Sequence, residues 1–164
     1  MNKIVVIGPS GAGKSTFSRK LSSKLNISLY HLDNIFWNSD KTHITKEEFD
    51  KKLEEILSLD NYIIDGDYSR TYEARFKNSD TIIFLNYPLD LCINGVSERI
   101  GKKRLDIPWV EDEFDPLFMQ WIKNWFIETK PILLNLLDKY RDTKTIIEFK
   151  DRNQANDFIN SLYY

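Results

Sequence analysis

A glycine-rich segment near the start of the chain has the residue types and the spacing of a phosphate-binding loop. Its eight residues run from Gly8 to Ser15 and match the pattern G-x-x-x-x-G-K-[ST] at every fixed position. Glycines allow successive backbone N–H groups to turn toward phosphate oxygens. Lys14 can reach the β- and γ-phosphates of a nucleotide, and the Ser15 hydroxyl can ligate Mg²⁺. A glycine-rich turn that merely starts a helix is the alternative, and the complete match disfavours it.

The sequence on both sides of this loop suits the same role. A β-branched run precedes it, and an amphipathic pattern follows, so the loop should join a buried strand to the positive end of a helix dipole. The segment therefore predicts ATP and Mg²⁺ as cofactors. The expected contacts are Gly8, Pro9, Ser10, Gly11, Ala12, Gly13, Lys14 and Ser15.

Two acids stand where predicted strands end. Asp65 closes the apolar run that begins at Tyr62, and Asp33 closes a run at residues 28–32. Side chains at the carboxyl ends of parallel strands face the ligand crevice. Asp65 is therefore predicted to hold Mg²⁺ or its water, and Asp33 to bind an acceptor hydroxyl and take its proton. The alternatives are an ordinary Asp-Gly turn and an ordinary loop-start aspartate. His31 is interpreted as structural.

Basic residues cluster after the middle of the chain. Arg99 precedes the charged loop 101–113, which contains Arg104, and a mobile basic loop can neutralise charge and exclude water during phosphoryl transfer. A solvated basic turn at a helix C-terminus is the alternative. Arg70 and Arg75 follow the Asp65-Gly66 turn and could hold an anionic acceptor by bidentate contacts. A role on the helix surface is the alternative for both.

The elements that must position these residues alternate between strand and helix, which predicts an α/β fold with a parallel sheet. Strands are predicted at residues 4–7, 28–32, 62–64, 81–85 and 145–149. Helices are predicted at residues 13–25, 45–57, within 70–76, 88–100, 115–126 and 131–140, and in a last segment that includes Ala155 and Leu162. Thr45 and Glu48 have the spacing of a capping box. The aromatic residues from Phe114 to Phe126 have mostly helical spacing and are predicted to pack against the core.

Composition limits the class of protein. The 164 residues are 41% hydrophobic and 29% charged, which is typical of one folded domain that spans 1–164. The single cysteine, Cys92, lies among apolar residues, so it is predicted to be a core residue in a reducing compartment. No signal-peptide pattern or membrane-length apolar run occurs, so a cytoplasmic location is expected. The net charge of −2 disfavours direct binding of nucleic acid.

Several of these segments together resemble a known family. The order of the P-loop, the segment Tyr30 to Asp33, the segment Ile63 to Ser69 and the basic lid is similar to the adenylate-kinase-related proteins known as DNA topology modulation proteins. The resemblance implies a three-layer α/β/α P-loop NTPase fold of the nucleoside- and small-molecule-kinase type. Its five-stranded parallel sheet should have the order 2-3-1-4-5. The charged loop at about residues 101–113 should form a short lid, and we call it the lid loop.

The resemblance also implies roles for particular residues. Thr16 should join the phosphate contacts, Arg99 and Arg104 fall where lid arginines lie, and Arg70 falls where an arginine follows the Asp-Gly segment. The residues implied near adenine are Lys150, Arg152 and Asn153. The residues predicted near the acceptor, among which the resemblance implies Arg70, are Asp33, Asp67, Arg70 and Arg75. After the Asp-Gly segment this chain has Asp67-Tyr68-Ser69-Arg70, whereas adenylate kinases have Phe-Pro-Arg, and this departure argues against a simple assignment of AMP as the acceptor.

The sequence therefore predicts a kinase that moves the γ-phosphoryl group of ATP to a small acceptor, such as a nucleoside monophosphate or another hydroxylated metabolite. Lys14, Asp33, Arg99 and Arg104 are the predicted catalytic residues. A nucleotide-responsive regulator of DNA topology, with little turnover, is the alternative. A GTPase switch is disfavoured because no Asn-Lys-x-Asp segment is present. The acceptor and the oligomeric state stay open.

Overall fold

Five parallel strands form a single sheet in the order β2-β3-β1-β4-β5. The computed structural model describes residues 1–162. The strands are β1 (Lys3–Ile7), β2 (Leu29–His31), β3 (Tyr62–Asp65), β4 (Thr81–Leu85) and β5 (Thr145–Phe149). The predicted strand order is confirmed. The positions of β4 and β5 agree with the prediction to the residue, because both are unbroken runs rich in β-branched and aromatic residues.

Eight α-helices accompany the sheet within residues 1–162. They are α1 (Lys14–Leu25), α2 (Leu32–Phe36), α3 (Lys46–Leu57), α4 (Tyr72–Asn78), α5 (Leu89–Arg99), α6 (Pro116–Asn124), α7 (Lys130–Tyr140) and α8 (Arg152–Ser161). A 3₁₀ turn occupies Ser69–Thr71. The predicted capping box at the start of α3 is present, with the Thr45 and Glu48 side chains each bonding the other residue's backbone N–H. None of the described helices is both long and apolar enough to cross a bilayer.

The helices cover both faces of the sheet, which gives the predicted three layers. Alternate residues of β1 point to opposite faces. Ile4 and Val6 pack in a cluster with residues of α1, α5 and α8, whereas Val5 and Ile7 pack with residues of α4 and α7. Cys92 lies fully buried in the first of these clusters, as predicted, and burial raises the pKa of its thiol to about 11. Because all residues of β3 and β4 are buried, the centre of the sheet is a rigid base for the loops at its carboxyl edge.

Two local predictions are corrected by the structure. The strand predicted to reach Leu32 ends at His31, and α2 follows it in a region where the sequence predicted neither strand nor helix. The helices predicted to be separate around Pro131 are continuous, because a π-helical turn at Trp125–Thr129 joins α6 to α7. Proline lacks an N–H and would clash with the carbonyl four residues earlier. The wider turn, in which the N–H of Lys130 donates to the carbonyl of Trp125, accommodates Pro131 without a break.

The phosphate-loop candidate packs directly against α5. A Cβ atom at Gly95, in the middle of α5, would lie 2.1 Å from the carbonyl oxygen of Gly11, and a Cβ at Gly11 would lie 1.9 Å from the carbonyl oxygen of Cys92. Gly11 also has a φ of +84°, which side-chain-bearing residues rarely adopt. The loop can therefore take this conformation only because glycine occupies both sides of the contact.

Replacing Gly95 by alanine is expected to destabilise the protein. Alanine gains about 0.5–1 kcal/mol of helix propensity over glycine, but overpacking costs about 1–3 kcal/mol. We expect a net loss of about 1–2 kcal/mol in the free energy of unfolding, measured by urea denaturation. Asn94→Ala is the matched control, because Asn94 is the exposed neighbour in the same helix. Equal stability of the two variants would contradict the close contact between α5 and the loop.

Candidate active site

The glycine-rich loop lies between β1 and the first turn of α1. Gly13 precedes the helix with a φ of +85°, and Lys14 is the first helical residue. The Lys14 Nζ donates to the carbonyl oxygens of Gly8 at 2.8 Å and Pro9 at 3.0 Å. Ala12 is buried and packs with the core. The ammonium group thus lies over the loop, where two carbonyls hold it in place.

Two clefts open on this loop. The first, of about 610 Å³, is lined by residues 10–17 together with Tyr87, Gly95, Arg152 and residues of the lid loop. The second, of about 990 Å³, extends toward α2, the turn after β3 and α6. The residues that line both clefts are Ser10, Lys14, Asp33, Gly66, Arg99 and Arg104. All four predicted catalytic residues therefore lie at the junction of the two clefts.

Asp65 lies at the end of β3, between the two neighbouring strands. The strand register sets it beside Val6 of β1 and His31 of β2. Its Oδ1 is 2.8 Å from Nδ1 of His31, and its buried Oδ2 accepts no hydrogen bond from the described residues. A buried carboxylate oxygen without a donor is strongly disfavoured unless a cation or water completes it. Asp65 and the Ser15 hydroxyl thus fit a Mg²⁺ site. His31, which we interpreted as structural from sequence, directly contacts the candidate metal ligand.

Asp33 lies in the first turn of α2. It is two residues past the end of β2, whereas the sequence predicted it directly after the strand. The hydroxyl of Tyr68 donates to its Oδ1 at 2.7 Å, and no described residue donates to its Oδ2. Burial raises the pKa of Asp33, against the opposing effects of the Tyr68 hydrogen bond and the charge of Lys14. The negative charges of Asp106 and Asp65 raise it further. Asp33 therefore combines one fixed oxygen with one free oxygen at the junction of the clefts.

The loop between α5 and α6 contains a network of four charged side chains. Nε of Arg99 lies 2.8 Å from Oε2 of Glu111, and Nη1 of Arg104 donates to the same oxygen at 2.8 Å. Arg104 also pairs with Asp106, to which its Nε donates at 3.1 Å. Burial alone would raise the pKa of Asp106, but the bonds from Arg104 and Ser15 lower it below its ordinary value. The two arginines are thus held at the clefts by carboxylates of their own loop.

Three contacts join this loop to the body of the protein. The Ser15 hydroxyl donates to Oδ2 of Asp106 at 2.9 Å. The side-chain amide of Asn34 donates to the carbonyl of Leu105 at 2.7 Å, and Trp109 lies edge-on against Trp37 with 5.5 Å between ring centroids. Sequence reasoning missed Asp106, because its partner is 91 positions away and nothing in its own neighbourhood marks it.

The residues expected near an anionic acceptor have other partners. Arg70 forms a bidentate pair with Asp50 on the surface, at 2.7 and 3.0 Å. Arg75 is fully buried, where it donates to the backbone carbonyls of residues 66–68 and to the Thr71 hydroxyl. Asp67 lines the larger cleft, but Tyr72 and Trp125 donate to its two oxygens. The geometry thus gives Arg75 the role of holding the turn after β3.

The residues expected near adenine separate into two groups. Arg152 lines the smaller cleft, and its Nη1 donates to Glu98 at 3.4 Å. Lys150 instead pairs with Glu148, and neither Lys150 nor Asn153 lines either cleft. Thr16 does line the smaller cleft, next to Ser15.

The predicted packing of the aromatic residues from Phe114 to Phe126 is confirmed only in part. Trp125 is buried in the core as expected, but Phe118 and the half-exposed Trp121 line the larger cleft and stack on each other with ring centroids 5.6 Å apart.

Comparison with known proteins finds kinases that are similar to this chain in sequence or in fold. No protein-family model matches the chain. The chain is 27% identical to an adenylate kinase of Mycolicibacterium smegmatis, over 85% of this chain and 86% of that protein. It is 35% identical to a cytidylate kinase of Sulfolobus acidocaldarius, over 59% of this chain and 61% of that protein. A shikimate kinase from Acinetobacter baumannii, solved in complex with shikimate, superposes with a TM-score of 0.62 at 18% identity and covers 98% of this chain and 89% of that one. The fold is therefore that of P-loop small-molecule kinases, and the relatives in sequence are nucleotide kinases.

Arg70 and Arg75 both follow β3 but differ in burial, and substitution of each by methionine tests how much each stabilises the fold. Arg75→Met is expected to lower the free energy of unfolding by about 2–4 kcal/mol, because it leaves buried carbonyls without donors. Arg70→Met should change it by less than about 1 kcal/mol, since the pair with Asp50 is exposed. Urea denaturation of both variants measures the difference. A loss of activity in Arg75→Met at unchanged stability would instead indicate a direct role in binding the acceptor.

Proposed function

We propose that the protein is an ATP-dependent phosphotransferase that moves the γ-phosphoryl group to a hydroxyl of a small acceptor. The observation that carries this proposal is the junction of the two clefts, where Lys14, Asp33, Arg99 and Arg104 all line both. A donor in one cleft and an acceptor in the other would meet at that point. The kinase relatives support the same reaction class.

In the proposed reaction the smaller cleft binds the nucleotide. The backbone N–H groups of the loop and the N-terminus of α1 bind the phosphates. Arg152 and Tyr87 line the same cleft and are our candidates for contact with the base. Ser15 and Asp65 would hold Mg²⁺, which when bound neutralises charge on the β- and γ-phosphate oxygens. Ser15 can ligate Mg²⁺ through a lone pair of its hydroxyl oxygen while the hydroxyl hydrogen still donates to Asp106, so the proposed metal site and the lid contact share one hydroxyl.

The acceptor hydroxyl is proposed to approach Asp33. Its free Oδ2 can accept the hydroxyl proton as the oxygen attacks the γ-phosphorus, while Tyr68 keeps the carboxylate in place. Lys14, Arg99 and Arg104 lie where negative charge develops on the transferred group. The pairs with Glu111 and Asp106 hold both arginines in position before any ligand arrives, which lowers the reorganisation needed during transfer.

Lys14→Ala tests the nucleotide half of the proposal. We expect transfer to fall at least about 10³-fold, because the group that neutralises phosphate charge is lost. The measurement is ATP consumption by purified protein with nucleosides, nucleoside monophosphates, small polyols and amino sugars as acceptors. Lys24→Ala is the matched control and should keep its activity, because Lys24 is exposed in the last turn of α1 and lines neither cleft. Wild-type rates in Lys14→Ala would disprove the assignment, and no consumption by the wild-type protein with any acceptor would disprove phosphotransfer.

Asp33→Asn tests the acceptor half. The change keeps the shape and removes the proton acceptor, so transfer should fall about 10²–10⁴-fold with ATP affinity little changed. The activity of the wild-type protein should also fall on its acid side at a pH above the ordinary aspartate range, because burial raises the pKa of Asp33. A parallel loss of ATP binding in the variant would place Asp33 at the nucleotide or metal instead.

The same substitution has a distinct effect on stability. A carboxyl whose pKa is higher in the folded state stabilises the fold below its unfolded pKa, and this contribution is lost as pH rises through the folded pKa. At pH 7 the ionised Asp33 therefore disfavours folding, and Asp33→Asn should be as stable as the wild type or more so. Thermal unfolding at pH 7 and pH 4 measures this. A loss of more than about 1 kcal/mol at pH 7 would show that Asp33 is mainly structural.

A further inference from the structure

The larger cleft has an unusual charge distribution outside the six residues that it shares with the smaller one. We call this region the acceptor-side cleft. One cation, Lys41, is found among the described residues that line it. The carboxylates that line it are Asp67, Glu111, Asp112, Glu113, Asp115 and Glu128. The region proposed to receive the acceptor is therefore strongly acidic.

The arginines that could offset this negative charge bind other groups or lie outside the acceptor-side cleft. Arg70 is paired with Asp50 outside the cleft, and Arg75 is buried against backbone carbonyls. Arg99 and Arg104 lie at the junction, where Glu111 neutralises part of their charge. An acceptor with a phosphate or carboxylate far from the transferred group would thus meet no bidentate arginine in the acceptor-side cleft and several like charges.

Three of the six carboxylates are available to a ligand. Asp67 accepts from Tyr72 and Trp125, Glu111 pairs with both lid arginines, and Asp115 caps α6. The remaining three are Asp112, Glu113 and Glu128, which are exposed and form no salt bridge within residues 1–162. They lie on the lid loop and on the π-helical turn, so they face the cleft from different elements.

Aromatic side chains complete the lining. They include Phe36, Trp37, Tyr68, Trp109 and Trp121, whereas the ring of Phe118 already lies under the guanidinium of Arg99. An aromatic face attracts a cation through its quadrupole, and it also packs against the apolar face of a sugar or amino alcohol. Carboxylates combined with aromatic faces are the groups that recognise an ammonium group. The geometry also leaves the free oxygen of Asp33 at the inner end of the cleft to receive a hydroxyl.

We propose that the acceptor is a hydroxylated amine, which binds with its ammonium group near Asp112, Glu113 and Glu128 and its hydroxyl at Asp33. This inference rests on the proposed phosphotransfer and adds the chemical class of the acceptor. In the transfer the acceptor oxygen bonds to the γ-phosphorus, the bond from the γ-phosphorus to the β,γ-bridging oxygen of ATP breaks so that ADP leaves with that oxygen, and the hydroxyl proton passes to Asp33. Anionic acceptors, including nucleoside monophosphates, are disfavoured by the same carboxylates.

The test compares acceptors that differ mainly in charge. Glucosamine, glucose and gluconate form one series with similar size, and adenosine and AMP form a second pair. We expect kcat/KM to fall in the order amine, neutral compound, anion, with at least about tenfold between the amine and the anion. Raising the salt concentration should reduce this ratio, since exposed charges are screened. A preference for gluconate or AMP would overturn the inference while leaving phosphotransfer intact.

Binding is measured separately from turnover, so that the two proposals fail in different ways. Thermal shift with a non-hydrolysable ATP analogue and Mg²⁺ should show stabilisation by glucosamine and none by gluconate. Binding of the amine without ATP consumption would retain the charge preference and reject phosphotransfer. The absence of both amine binding and amine turnover would overturn the inference.

A triple variant tests the residues that carry the proposal. Asp112→Asn, Glu113→Gln and Glu128→Gln together should reduce the amine-to-neutral preference about 3- to 10-fold, since each exposed charge contributes modestly. The KM for ATP should stay unchanged. The matched control is Glu54→Gln, Glu55→Gln and Asp60→Asn, which removes three exposed charges at the end of α3, away from both clefts. An equal effect of the two triple variants would show that only the overall charge matters.

Discussion

The register of β3 between β1 and β2 determines where every group of the candidate site lies. Parallel strands end at one edge of the sheet, so the phosphate loop after β1, His31 at the end of β2 and Asp65 at the end of β3 come together there. All residues of β3 are buried, with Ile63 packed on one face and Tyr62 and Ile64 on the other, so a slip by one residue would exchange the two faces and disrupt both clusters. The close packing of Gly11 on α5 then fixes the loop from the other side. A shift in either contact would move the phosphate loop relative to Asp65.

The lid loop holds two arginines at the candidate site through ion pairs with carboxylates of the same loop. Arg99 and Arg104 lie at the junction of the clefts but are neutralised by Glu111 and Asp106. The guanidinium groups are already oriented by these carboxylates, and the Ser15 hydroxyl proposed to ligate Mg²⁺ donates to Asp106 of the same loop. Because both sets of groups belong to this loop or contact it, the proposed binding of ATP·Mg²⁺ would be thermodynamically linked to the position of the lid.

The sequence predicts the sheet and the phosphate loop well because both depend on local patterns. Apolar runs mark the strands, and the spacing of glycines and lysine marks the loop. It fails at α2, since five residues are too few to show a helical period, and at the π-helical turn before Pro131. It also misjudges Arg75, because no local signal distinguishes a buried arginine that holds backbone carbonyls from a surface arginine. The contacts of His31 and Asp106 depend on residues 34 and 91 positions away, which only the folded chain brings near.

The small net charge of the chain hides a strong separation of charge within the site. The smaller cleft is rich in basic side chains, which include Lys14, Arg104 and Arg152, whereas the acceptor-side cleft is rich in carboxylates. Under the proposed reaction, a phosphoryl group moves from the basic region toward the acidic one. The acceptor that enters with a positive or neutral charge leaves with about two added negative charges on its new phosphate. The carboxylates that attract the acceptor therefore repel the product, so one distribution of charge favours both binding of the acceptor and release of its phosphorylated form.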